Sequence, residues 1–279
     1  MCWTVWRISD TAQGKEGKSM KQVIVDVFSE TVFGGNPTAV CFVAEWPEDE
    51  AMRRIAAENR LSETAFVRKK NGRYGLRWFT AVREIPLCGH AALGAGYAVL
   101  REWEPGAEAV TFDTLSGALT VAKRDGRVEM RMPRWPLAEV SVTEDMTEAV
   151  GAPVRAAYLA RDLLCILEDE AAVRRAAPDM ARVKALPGLL LNLAAKGTGC
   201  DCVVRSFAPK LAVDEDPACG SGQCHAFEWL AMTEGRTSFF GRQASARGGG
   251  VYGRIEAGEM FLSGHAALFS EGEIFPEGR

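Results

Sequence analysis

The sequence predicts an α/β protein that contains two copies of one structural unit. The chain has 279 residues, of which 47% are hydrophobic and 25% charged, a composition typical of globular proteins and a length sufficient for two cores. Short segments that alternate apolar and polar residues predict many strands. One succession of features (strand, acidic loop, proline, Cys-Gly, apolar helix) occurs twice, with its cysteines 131 positions apart at Cys88 and Cys219. A repeat of that length indicates a duplicated domain.

The first copy is expected to consist of strands around two helices. Turn residues at 33–37 separate the first two strands, and an Asp-Gly pair at 125–126 predicts a hairpin. Acidic residues after Trp46 mark a helix start. The predicted strands are 23–28, 38–43, 64–68, 75–80, 110–112, 117–123 and 127–132, and the predicted helices are 46–60 and 91–101.

The pattern starts again after the proline-flanked stretch at 133–136. The predicted strands of the second copy are 157–167, 189–195, 202–207, 249–257, 259–265 and 267–274, and the predicted helices are 143–150, 170–177, 180–185 and 223–234. We therefore expect three parts: a leader of unknown role (1–19), an N-terminal half (20–135) that a C-terminal strand from 267–279 completes, and a C-terminal half (136–266).

Composition excludes several classes of function. The formal charge is −4, with 33 basic and 37 acidic residues, so a nucleic-acid partner is not expected. The chain has no apolar run of membrane-spanning length and no signal-peptide pattern. Eight cysteines without a C-x-x-C pair indicate neither a zinc site nor a disulfide framework. We expect a cytoplasmic protein without a metal ion.

The repeated Cys-Gly step places chemistry at two helix starts. Amides at a helix N-terminus have no intrahelical partner and favour a carboxylate or an enolate oxygen. A nearby acid can accept a proton, and the helix dipole favours a thiolate. The residues of this type are Glu84, Cys88, His90, Asp216, Cys219 and Ser221. Such an arrangement is typical of a cofactor-free racemase or isomerase.

Five segments of the chain resemble one known family, the PhzF-like proteins of phenazine biosynthesis. The segments are 25–28 (Val-Asp-Val-Phe), 35–40 (Gly-Asn-Pro-Thr-Ala-Val), 59–67 (Asn-Arg-Leu-Ser-Glu-Thr-Ala-Phe-Val), 84–91 (Glu-Ile-Pro-Leu-Cys-Gly-His-Ala) and 216–222 (Asp-Pro-Ala-Cys-Gly-Ser-Gly). The resemblance runs from about Gln22 to the C-terminus. It implies a diaminopimelate epimerase-like fold, in which two pseudo-symmetric halves each wrap a sheet around a central helix, and a homodimer.

The resemblance also implies a reaction and its residues. The family isomerises trans-2,3-dihydro-3-hydroxyanthranilate without a cofactor, and a glutamate moves the proton between ring carbons. Carried onto this sequence, the catalytic residues are Glu63, His90 and Asp216. The residues expected to bind substrate are Asn36, Ser62, Gly89, Gly220, Ser221 and Gly222. The implied partner is a small carboxylate-bearing molecule, bound in a cleft between the halves.

Two alternatives stay open from the sequence. This chain has cysteine at both 88 and 219, the positions that resemble the two catalytic cysteines of diaminopimelate epimerase, so a two-thiol amino-acid racemase or epimerase is one alternative. The other is a protein that binds a small molecule without turnover. Sequence alone does not name the substrate.

Overall fold

The structure, a computed structural model, describes residues 19–276. Residues 1–18 of the expected leader and residues 277–279 of the expected last strand lie outside that range. Within it, the chain folds as the expected mixture of strands and helices. Val23, Val25 and Val27 alternate along the first strand and are all buried, as a half-buried strand requires.

The N-terminal part of the chain carries eight strands and two helices. They are β1 (Met20–Val27), β2 (Asn36–Val43), α1 (Asp49–Asn59), β3 (Thr64–Lys70), β4 (Arg73–Phe79), β5 (Glu84–Ile85), α2 (Gly89–Glu102), β6 (Ala109–Thr114), β7 (Gly117–Arg124) and β8 (Arg127–Met132).

The elements that follow repeat this order with additional elements at both ends and one extra helix. They are β9 (Ala138–Val140), α3 (Glu144–Val150), β10 (Ala156–Leu159), β11 (Leu163–Ile166), α4 (Glu170–Arg175), α5 (Met180–Ala185), β12 (Leu191–Lys196), β13 (Cys202–Ala208), β14 (Val213–Asp216), α6 (Gly220–Glu234), β15 (Ser238–Gln243), β16 (Gly250–Glu256), β17 (Glu259–Gly264) and β18 (Ala266–Ile274). A 3₁₀ turn at Pro209–Leu211 joins β13 to β14.

Strand pairing shows the duplication directly. In the first half, the pairs β1/β2, β2/β3, β3/β4, β4/β6 and β6/β7 alternate between antiparallel and parallel. The pairs β10/β11, β11/β12, β12/β13, β13/β15 and β15/β16 alternate in the same way. The two halves are therefore pseudo-symmetric, and the expected fold class is confirmed.

The halves are joined along their sheets. Strand β8 pairs with β17, which makes one hydrogen-bonded system of both sheets. Strand β18, which follows the last strand of the second half, pairs with β1, while β9, which follows the last strand of the first half, pairs with β10. Arg247 adds a side-chain link, since it donates to Asp26 (2.8 Å) and to the carbonyl oxygens of Gly34 and Gly35.

One long helix lies inside each half. Most side chains of α2 and of the first part of α6 are buried, as expected for helices that a sheet surrounds. Small residues permit this packing: a Cβ at Gly96 would lie 2.4 Å from Cγ1 of Val121. The N-terminal ends of these two helices carry the Cys-Gly steps.

Several boundaries differ from the sequence-based expectations. The expected strand 157–167 is two strands, because the chain reverses at 160–162, where the Ala160 amide donates to the Asp162 carbonyl (3.1 Å). Strand β15 and the short strands β5, β9 and β14 were not expected. Helix α6 begins at Gly220 rather than 223, and α2 begins at Gly89 rather than 91. Among residues 19–276, no helix combines the length and the apolarity that crossing a membrane would require.

Candidate active site

Glu63 lies at the start of β3, where the chain leaves α1. Helix α1 ends at Arg60 in a left-handed conformation (φ 53°), which turns the chain towards the sheet. Thr38 of β2 donates to the Glu63 carbonyl at 3.3 Å. The Glu63 side chain is 17% exposed, and half-buried Ser62 precedes it. The local structure therefore places a largely buried carboxylate immediately before the first residue of β3.

His90 faces Glu63 from the first turn of α2. Its Nε2 atom lies 3.3 Å from Glu63 Oε2, yet neither atom has a well-formed hydrogen bond within the described part of the chain. The other ring nitrogen, Nδ1, lies 3.3 Å from the Asn36 amide nitrogen and 3.5 Å from the Cys88 thiol. Because the Asn36 NH₂ group can only donate, Nδ1 accepts, and Nε2 carries the proton that faces Glu63.

Asn36 connects the two halves at this point. Its amide nitrogen donates to Asp216 Oδ1 at 2.8 Å and to the Ala218 carbonyl at 3.1 Å. Asp216 also accepts from the Ala218 amide at 3.0 Å. Asn36 Oδ1 is buried and has no partner in residues 19–276. The unpaired oxygen of Asn36, with the facing atoms of Glu63 and His90, marks where a polar ligand would be bound.

The start of α6 presents a thiol, a hydroxyl and backbone amides. The Cys219 sulfur lies 3.3 Å from Ser221 Oγ and accepts from the Gly222 amide at 3.4 Å. The Cys219 thiol therefore caps the helix and occupies the Gly222 amide, whereas the amides of Gly220 and Ser221 belong to the first turn, where amides have no intrahelical acceptors. Gly89 occupies the equivalent first position of α2.

Burial sets the protonation states of the site. Burial and then the charge of Asp216 raise the pKa of Glu63 from 4.5 to about 7, against a hydrogen bond with Cys88. Burial likewise raises the pKa of Asp216 to about 6 and lowers that of His90 to about 4. His90 is consequently neutral at neutral pH, and Glu63 can both accept and return a proton there.

Burial keeps the two cysteines of the site in the neutral thiol form. Burial raises the pKa of Cys219 to about 12 and that of Cys88 well above its usual value of 9. The negative charges of Glu63 and Asp216 add to this effect at Cys88. Both sites therefore favour the neutral thiol over the nucleophilic thiolate.

The duplication does not extend to the acids. When the strand pairings of the two halves are compared, Thr64 of β3 corresponds to Leu191 of β12. The residue before each one then makes Leu190 the counterpart of Glu63. Likewise, Ile85 of β5 is the counterpart of Asp216. Each half thus supplies one carboxylate, and the charge of Asp216 reaches Glu63 across the boundary between the halves.

The structure assigns one candidate acid to an ion pair outside the site and adds one arginine to the site. Glu84, the acidic residue before Cys88, is held by Arg77 through two hydrogen bonds of 2.7 and 2.6 Å. Arg161, which the sequence reasoning missed, donates to Ser221 Oγ at 2.6 Å. The only sequence signal for Arg161 was an Arg-Asp pair inside a segment predicted as a continuous strand.

Three side chains offer ligand atoms close enough together to hold a metal ion. One atom each of Glu63, Cys88 and His90 lies within 4.8 Å of the others. The cluster is a mixed set of one carboxylate oxygen, one sulfur and one imidazole nitrogen, which suits a divalent transition metal. The absence of a metal ion in the native protein therefore stays a prediction.

Two pseudo-symmetric halves, each with a sheet wrapped around a central helix, define the class of the protein, the diaminopimelate epimerase-like fold. A probable proline racemase from Agrobacterium radiobacter has a similar fold. That structure superposes with a TM-score of 0.65, covers 91% of this chain and 92% of its own, and shares 12% sequence identity, a likeness that concerns the fold alone.

Sequence comparison narrows the class to a family. The family model for phenazine biosynthesis-like proteins (PhzC-PhzF) matches residues 25–272, so the chain belongs to this family. An uncharacterized isomerase from Pseudomonas aeruginosa is 39% identical over 90% of this chain and 96% of its own length. A PhzF family structure from Enterococcus faecalis superposes with a TM-score of 0.89 at 36% identity, covering 92% of this chain and 100% of its own. The expected family and the enzyme class, an isomerase, are confirmed.

Proposed function

We propose that this protein is a cofactor-independent isomerase that moves a proton on a small carboxylate-bearing molecule by carboxylate acid/base catalysis. The observation that carries the proposal is the Glu63 carboxylate, whose pKa is raised to about 7 and which faces His90 Nε2 at 3.3 Å. A general base is most effective when its pKa lies near the working pH. The geometry and the protonation state of Glu63 support the same role.

Each residue of the site has a distinct part in this reaction. Glu63 takes the proton from one carbon of the substrate, its carboxyl proton exchanges with solvent, and the carboxyl group then protonates another carbon, so that the net reaction is an isomerisation. His90 donates its Nε2 proton as a hydrogen bond to the oxygen on which charge develops. Asp216 fixes Asn36 through the 2.8 Å hydrogen bond and keeps the Glu63 pKa high by its charge.

The substrate carboxylate has two places to bind. Amides at the first turns of α2 and α6, from Gly89, Gly220 and Ser221, have no intrahelical acceptors and favour an anion. Ser62 lies beside Glu63 and completes the set of expected substrate-binding residues with Asn36.

We place the enzyme in the cytoplasm and expect a homodimer. Sedimentation velocity tests the oligomeric state, and a monomer at micromolar concentration would contradict the homodimer.

Solvent deuterium exchange tests the proposed chemistry. The first compound to incubate is trans-2,3-dihydro-3-hydroxyanthranilate, which the family resemblance implies, followed by other small carboxylates. We expect the wild-type protein to incorporate one deuterium, and Glu63→Gln to lose the reaction by about 100-fold or more. Cys88→Ser, the matched control at a neighbouring side chain, retains it within several-fold. The reverse result, with loss in Cys88→Ser and retention in Glu63→Gln, would refute the carboxylate mechanism.

A two-cysteine racemase is the second candidate. Cys88 and Cys219 stand at equivalent positions before α2 and α6, as two opposed bases would. The raised pKa of both thiols counts against it. Inactivation by iodoacetamide at the rate of a free thiol, with protection by substrate, would support this candidate. A protein that binds without exchanging any proton would instead indicate the third alternative, a non-catalytic binding protein.

A further inference from the structure

Arg161 lies at one end of a chain of polar contacts that begins at Glu63. The contacts pass from Glu63 of the N-terminal half to His90, Asn36 and Asp216, then through Cys219 to Ser221. Arg161 Nη2 donates to Ser221 Oγ at 2.6 Å. The side chains of Glu63 and Arg161 are 17% and 34% exposed, whereas that of His90 between them is 6% exposed.

The guanidinium group of Arg161 keeps donors available. Nε and Nη2 bind the fully buried Asp162 carboxylate at 2.9 and 2.6 Å, and Nη2 also binds Ser221. An arginine has five N–H donors, and no acceptor for Nη1 is found within residues 19–276. The edge bound to Asp162 faces inward, so the Nη1 edge, next to the Ser221 hydroxyl, is the one that a ligand can approach. That hydroxyl oxygen accepts from Arg161, so its own proton can be donated either to the Cys219 sulfur, 3.3 Å away, or to a ligand.

The surroundings hold Arg161 in place rather than leaving it as a mobile surface residue. The guanidinium lies 4.5 Å from the Trp135 ring centroid, and that ring stacks on His225 at 5.1 Å. Burial lowers the pKa of His225; in its neutral form the ring accepts from the Asp162 amide at 3.3 Å and donates to the Ser221 carbonyl at 2.8 Å. One buried imidazole thus fixes the turn that carries Arg161 against the first turn of α6.

The duplication shows that this cation belongs to one half only. By the same comparison of strand pairings, Leu163 of β11 in the second half corresponds to Ala39 of β2 in the first half. The residue two positions before Leu163 is Arg161, and the residue two positions before Ala39 is Pro37. The candidate site therefore receives an acid and an imidazole from the N-terminal half and a guanidinium from the C-terminal half.

We propose that Arg161, together with Ser221 and the amides that begin α6, binds the carboxylate of the substrate and makes the enzyme specific for acids over their neutral amides. This inference rests on the proposed function, and it assigns the orientation of the substrate. The carboxylate lies against the C-terminal half, and the carbon that loses its proton lies against Glu63. Arg161 is then a specificity-determining residue of the reaction.

Binding of a matched acid and amide tests the assignment without requiring turnover. The probes are anthranilate and anthranilamide, measured by isothermal titration calorimetry with the full-length protein. We expect the wild-type protein to bind anthranilate at least tenfold more tightly than anthranilamide. Arg161→Gln should weaken anthranilate binding by about 10- to 100-fold, as loss of a charge-assisted hydrogen bond does, and leave anthranilamide binding unchanged. Arg155→Gln, an exposed arginine that pairs with Glu168 just before β10, is the control and keeps the preference.

The single variant leaves Asp162 buried without its partner and can lower stability, so Arg161→Gln with Asp162→Asn is measured beside it. Equal binding of the two probes by the wild type, or a preserved preference in either folded variant, would overturn the inference. Glu63→Gln separates this inference from the proposed function, because it should retain the preference for the acid. A wild-type protein that prefers the acid but exchanges no deuterium would contradict the proposed function and leave the assignment of Arg161 intact.

Discussion

Replacing Glu63 with glutamine should stabilise the protein in a way that depends on pH. The folded protein raises the pKa of this carboxyl from 4.5 to about 7, so between these values the folded state binds more protons than the unfolded state. Stability contributed by the neutral carboxyl is fully present below about pH 4.5 and decreases as the pH rises towards 7. Glutamine keeps the shape of the side chain and does not titrate. The difference in stability between variant and wild type therefore grows with pH.

The size of the effect follows from the shift. A change from 4.5 to about 7, at about 1.36 kcal/mol for each pKa unit, corresponds to about 3 kcal/mol. The Glu63 side chain is only 17% exposed, so solvent screens little of this cost. We expect Glu63→Gln to gain about 3 kcal/mol over the wild type between about pH 4 and pH 8.

Urea denaturation followed by tryptophan fluorescence at a series of pH values measures this difference. Glu58→Gln, at an exposed position of α1, is the matched control and should differ from the wild type by less than about 0.5 kcal/mol throughout. A difference that stays constant with pH, or that decreases as pH rises, would refute the argument that burial and Asp216 raise the Glu63 pKa.

Three further measurements test other parts of the structure. At about pH 8, Cys219 should react with iodoacetamide about a thousandfold more slowly than a free thiol, because burial raises its pKa to about 12; rapid labelling of the folded protein, read by mass spectrometry, would contradict this. Gly96→Ala should cost about 1–3 kcal/mol in urea unfolding, since its Cβ would lie 2.4 Å from a Val121 methyl, whereas Gly106→Ala, with no atom within 4 Å, should not. Arg247→Gln should cost about 3 kcal/mol by leaving the buried Asp26 carboxylate without its counter-ion and with only the Phe33 amide as a donor, and the added change Asp26→Asn should recover most of that loss; no recovery would refute the pairing argument.

The duplication could be predicted from the sequence because its signals are local. Each Cys-Gly step combines a helix start with an apolar helix, and a repeat needs only a comparison of the chain with itself. The strand order could not be obtained in this way. Strand β15 was missed because Ser238–Gln243 is short, contains a glycine and has only a brief alternation. Its parallel pairing with β13 is a long-range contact that no local pattern encodes.

The site was predictable only in part, for a related reason. Glu63 has no local distinction from other acids, and its raised pKa arises from burial and from the charge of Asp216, which is 153 positions away in the sequence. The turn that carries Arg161 was hidden because Ala160, Arg161 and Asp162 include neither glycine nor proline. Its partners Trp135 and Ser221 come from other elements, so that only the folded chain brings them together.

Each half pairs with a strand that follows the other half in the sequence, β18 with β1 and β9 with β10. This arrangement suits the protein to circular permutation. Met20 of β1 is paired with Ile274 of β18, which places the two ends of the described chain within about 5 Å of each other. A short linker from Pro276 to Ser19 would turn β18 and β1 into a hairpin, and new termini at the 133–136 boundary would make each half contiguous. We expect this circular permutant to fold with an unchanged circular dichroism spectrum; an aggregated or unfolded product would show that the original connection between the halves is required for folding.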